Sequence, residues 1–356
     1  MGRPRCDRPQ AGTATAGGGF GADHRGGTFT HCRVALPLPR ERAQGHPDRG
    51  DINGRAINSR VINGCVIDEH GGTRMHIEVE PSGQHCGAIV RGVDLRELDA
   101  AGAETLRGIW LRHRVIALPG QRLDLGEFER AAALFGPFGE DPYFRTLPGH
   151  PHVAEIRREA DETTPLFAEG WHSDWSFLPV PPAMTLLYGR VIPPVGGDTL
   201  YADQHAAYEA LPDAMKARLD GLLGIHSARR GYSRAGMYGD RDVGRSMAIV
   251  PSDSALATQL HPLVRVHPET GLKALFLSPG YTIGVEGMHD DDAQALLREL
   301  YAHQAEERFV YRHRWSEGMV TMWDNRAVIH AATGGYQGHQ RLLHRITISE
   351  RNPPRD

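Results

Sequence analysis

From Met75 to the C-terminus, apolar residues come in short runs broken by glycine and proline. Runs of about four to eight residues with such punctuation have the length of strands, and they leave room for only a few helices. His76 to Val79 alternates as a strand does, and Gly87 to Val93 reads as a second. Ala103 to Arg112 carries Leu106, Ile109 and Trp110 at helical spacing. Val115 to Leu118 is a short apolar strand, and Glu127 to Phe135 a helix that Gly136 is positioned to close. His172 to Phe177 and Met184 to Val191 read as strands divided by Pro179, Pro181 and Pro182, and Gly196-Gly197-Asp198 as a turn. His205 to Leu223 has a helical pattern, as does Asp290 to Ala305, whose acidic first turn suits the helix dipole. Val310 to Arg314, Met319 to Trp323 and Leu342 to Ile348 close the chain as strands. The segment Arg229 to Ser254 is polar and patternless, which is the character of an active-site lid. The sum is a mainly β fold with flanking helices, a sandwich or jelly roll.

Residues 1–74 have a different composition. They hold 14 of the 42 glycines, 11 arginines and no lysine, with Ile-Asn recurring at Ile52, Ile57 and Ile62. Such a segment buries too little apolar surface to offset chain entropy. It reads as a disordered or mis-assigned N-terminal extension, with Met75 a natural start and residues 75–356 the functional domain; a basic binding tail is the other reading.

The net charge of -4 gives no reason to expect a nucleic-acid surface. No apolar run is long enough to span a membrane. Cys6, Cys32, Cys65 and Cys86 form no CxxC pair, so neither a disulfide framework nor a zinc knuckle is indicated, and a cytoplasmic setting is the simplest expectation. Dinucleotide, P-loop, serine-hydrolase and HExxH signatures are absent from the sequence.

The stretch that carries chemistry is Trp171-His172-Ser173-Asp174. On a strand, positions i and i+2 share a face, so His172 and Asp174 would offer a nitrogen and an oxygen to one ion. His330, in Trp323-Asp324-Asn325-Arg326-Ala327-Val328-Ile329-His330, is the best third ligand. Two histidines and a carboxylate leave coordination positions open, which suits Fe(II) chemistry with O2. The same trio also describes catalytic zinc in a hydrolase. A non-catalytic ligand-binding jelly roll is a further alternative. Arg341 lies eleven residues past His330 and Arg345 four further on; on one strand they share a face. They sit either on a solvated surface or, turned inward, each against an anion. The basic, histidine-bearing Arg312-His313-Arg314 reads as a solvated strand edge rather than a second metal site.

From about Met75 onward the chain resembles the TauD/TfdA-like (taurine dioxygenase) family of 2-oxoglutarate-dependent oxygenases. The resemblance rests on WHSDWSF (171–177), GGDTL (196–200), HPLVRVHPETG (261–271), WDNRAVIH (323–330) and RLLHR (341–345). It implies a double-stranded β-helix (jelly roll, cupin-like), Fe(II) held by His172, Asp174 and His330, and 2-oxoglutarate as cosubstrate with its distal carboxylate on Thr199 and Arg341. Arg345 matches the arginine that meets the anionic group of the prime substrate. The presence of Asp174 implies hydroxylation, since related halogenases lack that carboxylate; desaturation or oxidative decarboxylation in a biosynthetic pathway stays open. Asp141 and Phe144 stand where taurine dioxygenase has histidine and tyrosine, and Ala168 where it has asparagine, which argues against taurine itself. Asp141 is either a contact for a substrate amine or a solvated loop acid, and Trp175 and Phe177 either a substrate wall or core. The expected partners are O2 and a small anionic organic substrate, a sulfonate, sulfate ester or carboxylate, and the resemblance is compatible with a homo-oligomer.

Overall fold

The computed structural model describes residues 76–351. The expected extension 1–74 and its boundary at Met75 lie outside the described residues. The chain enters through β1 (Glu78–Pro81) and β2 (Ala88–Arg91), then α1 (Ala100–His113), β3 (Val115–Leu118) and α2 (Leu125–Ala133). There follow β4 (Thr146–Leu147), β5 (His150–Arg158), β6 (Met184–Val191), β7 (Thr199–Asp203), α3 (Gln204–Glu209) and α4 (Asp213–Leu219). Next come β8 (Leu223–His226), α5 (Arg229–Tyr232), β9 (Gln259–Pro262), β10 (Val264–Val266), β11 (Lys273–Leu275) and β12 (Thr282–Val285). After the long α6 (Asp290–Gln304) the order is β13 (Val310–His313), β14 (Val320–Asp324), β15 (Val328–Ala332) and β16 (Arg341–Ile348).

Eight strands form one sheet in the order β1-β2-β3-β14-β6-β16-β5-β4, antiparallel except for the β2–β3 pair. A second sheet, β13-β7-β15, packs on its inner face. Strand alternation explains the layering. On one side Met184, Leu186, Val320, Met322, Ile346 and Ile348 pack with Leu106 and Trp110 of α1 and Phe128 of α2. On the other side Leu187, Trp323 and Leu343 meet Tyr201 and Val328 of the second sheet. With both faces covered, the central strands are continuously buried, which is why they read as plain apolar runs. The result is the expected jelly roll with helices outside it.

Local chemistry sets the element ends. The Asp99 side chain caps α1, and Asp124 with Glu127 forms a reciprocal capping box on α2. Helix α2 stops at Ala133, short of the Gly136 expected to end it. Gly136 serves the approach of β16 instead: a Cβ there would lie 2.9 Å from Ile348 Cγ2. The single helix expected over 205–223 is two, α3 and α4, divided before Pro212. Proline lacks the N–H that the ladder needs and disfavours helix in the residue before it.

Two further expectations are corrected. Residues 172–177 are not a strand: His172 alone forms a bridge, to His330, and Asp174–Phe177 turn away. Trp175 takes a φ of 44°, which takes the chain out of an extended path. The Arg312-His313-Arg314 stretch is only half a solvated edge. Arg312 is exposed and pairs with Asp198, whereas His313 is fully buried against Tyr311 and Thr321.

Candidate active site

Loop 168–175 and strand β15 meet through the His172–His330 bridge, whose backbone hydrogen bonds span 2.9 and 2.7 Å. This pairing, rather than a shared strand face, brings the two imidazoles together, with ring centroids 4.2 Å apart. The turn after His172 then folds Asp174 back toward them. Asp174 Oδ1 lies 3.9 Å from His172 Nε2 and 3.8 Å from His330 Nε2. One ligand atom from each of the three residues falls within 4.8 Å of the others, and all three side chains are buried. No other such cluster of His, Cys, Asp and Glu occurs among the described residues.

The protonation states suit a cation. The Gly170 carbonyl accepts from His172 Nδ1 at 2.8 Å, which fixes the proton there and leaves the Nε2 lone pair free. Burial pushes both imidazoles below the ordinary histidine range, so both are neutral at physiological pH. His330 Nδ1 is buried without a partner among the described residues. Burial alone would raise the Asp174 carboxyl, but Arg345, the two histidines and Thr185 hold it well below the usual carboxylate range. Thr185 Oγ1 donates to Asp174 Oδ2 at 2.7 Å and accepts from Asn325 Nδ2 at 2.8 Å. Asn325 Oδ1 in turn accepts from Trp323 Nε1 and from the Asp174 backbone N–H. The WDNR segment thus braces the carboxylate as well as leading to His330. Two neutral nitrogens and an ionised oxygen form a donor set that fits a divalent transition metal.

A cleft of about 780 Å³, counting the part open to solvent, reaches these three residues. Thr199, Arg341 and Arg345 line it. Arg341 is buried, with no carboxylate within salt-bridge distance among the described residues. Its Nη2 donates to the Gly197 carbonyl at 3.2 Å, and its Nε has no partner among the described residues. Gly197, at φ 70°, allows this approach: a Cβ would lie 3.2 Å from Arg341 Nε. Burial pushes the Arg341 guanidinium down. A buried cation without a counter-ion is costly, so the place beside it is built for an anion. Thr199 Oγ1 accepts from Trp315 Nε1 at 3.0 Å, which leaves its own proton to donate.

Arg345, unlike Arg341, is already engaged by carboxylates of the protein. Its Nη1 donates to Asp174 Oδ1 at 2.9 Å and its Nε to Asp141 Oδ1 at 3.1 Å; only Nη2 lacks a partner. Burial opposes its charge, but the two carboxylates hold its pKa above the ordinary arginine range. Asp141 is neither a solvated loop acid nor a cleft residue: its carboxylate is turned inward, with the side chain 8% exposed, and also accepts from Trp175 Nε1 at 2.6 Å. Burial raises the Asp141 carboxyl even with Arg345 beside it. Phe144 and Trp175 line the cleft, whereas Phe177 lies behind it against Tyr143 and Tyr281. Arg345→Ala is therefore expected to weaken metal binding about 10- to 100-fold as a lost support of a ligand, not only to weaken an organic anion. A metal titration of the variant by calorimetry checks this.

Sequence reading missed Tyr232, Tyr281, Glu162, Arg158, Arg245 and Tyr336, which also line the cleft. For Tyr232 and Arg245 there was a signal, since both belong to the patternless 229–254 segment. That segment is tied down where Glu162 accepts from the Ser246 N–H at 3.0 Å and the Ala168 N–H donates to the Tyr238 hydroxyl at 3.2 Å.

Comparison with known proteins accounts for the arrangement. Residues 78–347 match the model of the family described as "Taurine catabolism dioxygenase TauD, TfdA family". The chain belongs to this family. It is accordingly a 2-oxoglutarate-dependent dioxygenase with Fe(II) as cofactor, and its jelly roll is the family's. The zinc hydrolase and non-catalytic readings fall with that assignment. An alpha-ketoglutarate-dependent sulfate ester dioxygenase of Pseudomonas putida is 32% identical over 78% of this chain and 91% of its own. An (S)-phenoxypropionate/alpha-ketoglutarate-dioxygenase of Sphingobium herbicidovorans is 29% identical over 75% of this chain and 92% of its own. Among solved structures, AAD-2 in complex with Mn(II) and N-oxalylglycine superposes on this dioxygenase with a TM-score of 0.63 at 28% identity, covering 78% of this chain and 99% of its own.

Proposed function

We propose that this dioxygenase hydroxylates a small organic anion with an aryl or alkyl body, using His172, Asp174 and His330 to hold Fe(II). The observation that carries this reading is the juxtaposition of that neutral-neutral-anionic donor set with the uncompensated Arg341 in one cleft. Fe(II) with 2-oxoglutarate and O2 supplies the oxidation of a C–H bond, with succinate and CO2 as co-products. The protein's part is position, charge and exclusion of water. Arg341 and the Thr199 hydroxyl hold the far carboxylate of 2-oxoglutarate, the guanidinium by a two-point fork. His172 is kept in its ligating tautomer by the Gly170 carbonyl, and Asp174 is oriented by Thr185 and Arg345.

Phe144, Phe167, Trp175, Tyr232 and Tyr281 give the cleft an aromatic stretch of wall, which suits an aryl or alkyl body. Arg345 Nη2 is the donor left for the anionic head. Asp141 is engaged by Trp175 and Arg345 and is not free for an amine. Relatives named for a sulfate ester and for phenoxypropionate support the same class. Residues 75–356 are read as the catalytic domain, and the reducing cytoplasm suits a ferrous cofactor. Incubation with Fe(II), 2-oxoglutarate and O2 against sulfonates, sulfate esters, aryloxyalkanoates and amino acids tests the proposal. Succinate is expected to rise with aryl or long-alkyl anions and not with taurine; a rise confined to taurine or amino acids would overturn the substrate class.

A further inference from the structure

The segment HPLVRVHPETG (261–271) lines no part of the cleft, yet it reaches both stretches of chain that carry the proposed metal ligands. At its start, His261 Nε2 donates to the Leu178 carbonyl at 2.9 Å, and the Leu178 N–H donates to the Trp175 carbonyl at 2.9 Å, on the turn that follows Asp174. Its end is the turn between β10 and β11. Gly271, at φ 70°, lets the chain reverse there. The reversal aims the N–H groups of Glu269 and Thr270 at His267 Nδ1, at 3.2 and 3.1 Å. Nδ1 is therefore an acceptor, and the ring proton lies on Nε2. That atom donates to Asp324 Oδ2 at 2.9 Å, with both side chains only 1% exposed.

Asp324 ends β14, and its carboxylate is saturated by donors. The Arg326 N–H and Nε donate to Oδ1 at 3.0 and 2.8 Å, and Arg326 Nη2 donates to Oδ2 at 2.8 Å. Glu269 holds Arg326 from its other side, 2.8 Å from Nη1, and accepts from Arg107 as well. The side chains on either side of Asn325 are thus tethered to one turn. Asn325 faces the other way, toward the metal site. Its carbonyl accepts from Ser173 Oγ at 2.7 Å and its Oδ1 from the Asp174 N–H at 3.3 Å. Its Nδ2 donates to Thr185 Oγ1, the hydroxyl that donates to Asp174. Desolvation cancels much of what a buried charge network contributes to stability, so what this one can contribute is a single geometry.

We propose that His267 is a positioning residue of the metal site. It holds Asp324, and with Asp324 the corner that sets Asn325, so that the Asp174 carboxylate is fixed between His172 and His330 before an ion arrives. His267 itself touches neither the cleft nor a ligand; it acts through Asn325. Removing its N–H leaves Asp324 paired with Arg326, so the fold survives. The corner then keeps one of its two tethers to the β10–β11 turn, the Arg326–Glu269 pair. Among the described residues no hydrogen bond joins this network to Thr199 or Arg341, so the pocket for 2-oxoglutarate is left as it was.

The inference rests on the proposed metal ligands, and the test separates the two. Metal-free protein is titrated anaerobically with Fe(II) by calorimetry, and the thermal midpoint of each apoprotein is measured beside it. His267→Leu is expected to bind Fe(II) about tenfold more weakly, the low end of the cost of losing an outer support, with the KM for 2-oxoglutarate unchanged. His267→Asn, too short to reach Asp324, is expected to match it and serves if the leucine variant does not fold. His267→Gln, whose amide can still donate to Asp324, is expected to recover most of the affinity. Leu300→Ala, in the core packed under α6, is expected to lower the thermal midpoint and leave Fe(II) affinity as in wild type. Asn325→Ala is expected to weaken binding by itself, and His267→Leu added to it to cost little more, because the one acts through the other. Wild-type affinity in His267→Leu and His267→Asn, an equal loss in Leu300→Ala, or additive losses in the double variant overturns the positioning role alone. Failure of the wild-type protein to bind Fe(II) overturns the metal site as well.

Discussion

His330→Ala protein is expected to fold and to lose Fe(II)-dependent succinate formation entirely. His330 supplies one of three donor atoms within 4.8 Å of one another, and no other described cluster could replace it. Loss of a supporting partner alone costs about 10- to 100-fold in metal affinity, so loss of a ligand costs more. His172→Ala is expected to behave in the same way. His344→Ala is the control: His344 is also buried, but it lies near Glu155 and does not line the cleft. Metal content by mass spectrometry and succinate yield are the readings. Full metal occupancy and turnover in His330→Ala would defeat the site.

Arg341→Ala is expected to raise the KM for 2-oxoglutarate about 10- to 100-fold, the effect of removing a charge-assisted hydrogen-bonding partner worth about 1.5–3 kcal/mol. The free protein should tolerate the change well, because among the described residues Arg341 has no carboxylate partner to strand. Arg341→Lys keeps the charge and loses the fork, so it is expected to recover only part of the affinity. Initial rates against 2-oxoglutarate concentration measure both. The contrast with Arg345 is instructive. Two arginines four residues apart on β16 share one buried face, yet one is neutralised within the protein and the other is left for a ligand.

Much of the site was legible in sequence because its parts are local. The His172-x-Asp174 pair, the WDNR brace before His330 and the R-x-x-x-R spacing of β16 each lie within one element or turn. Alternation placed Arg341 and Arg345 on one face, and β3 and β6 were read to their ends. What escaped was set by tertiary contact. The convergence of His172 and Asp174 comes from a bridge to a strand 158 residues away and a turn with Trp175 at φ 44°, neither of which leaves a periodic trace. Arg345 and Asp141 meet across 204 residues, so their mutual neutralisation had no local sign. β5 and β7 were missed because charged and polar residues break the apolar run where these strands line the cleft. β10, β11 and β15 are three to five residues long and, unlike the equally short β3, each includes or adjoins a charged or histidine residue that breaks the apolar run.

The central claim is that His172, Asp174 and His330 hold Fe(II) beside an Arg341 that receives 2-oxoglutarate. Its most direct test is anaerobic titration of metal-free protein with Fe(II) and then 2-oxoglutarate, followed by visible absorption. The account predicts a metal-to-cosubstrate charge-transfer band that saturates at one equivalent of each, is absent in His330→Ala, and needs more 2-oxoglutarate in Arg341→Ala. No band in the wild-type protein, or a band undiminished in His330→Ala, would contradict it.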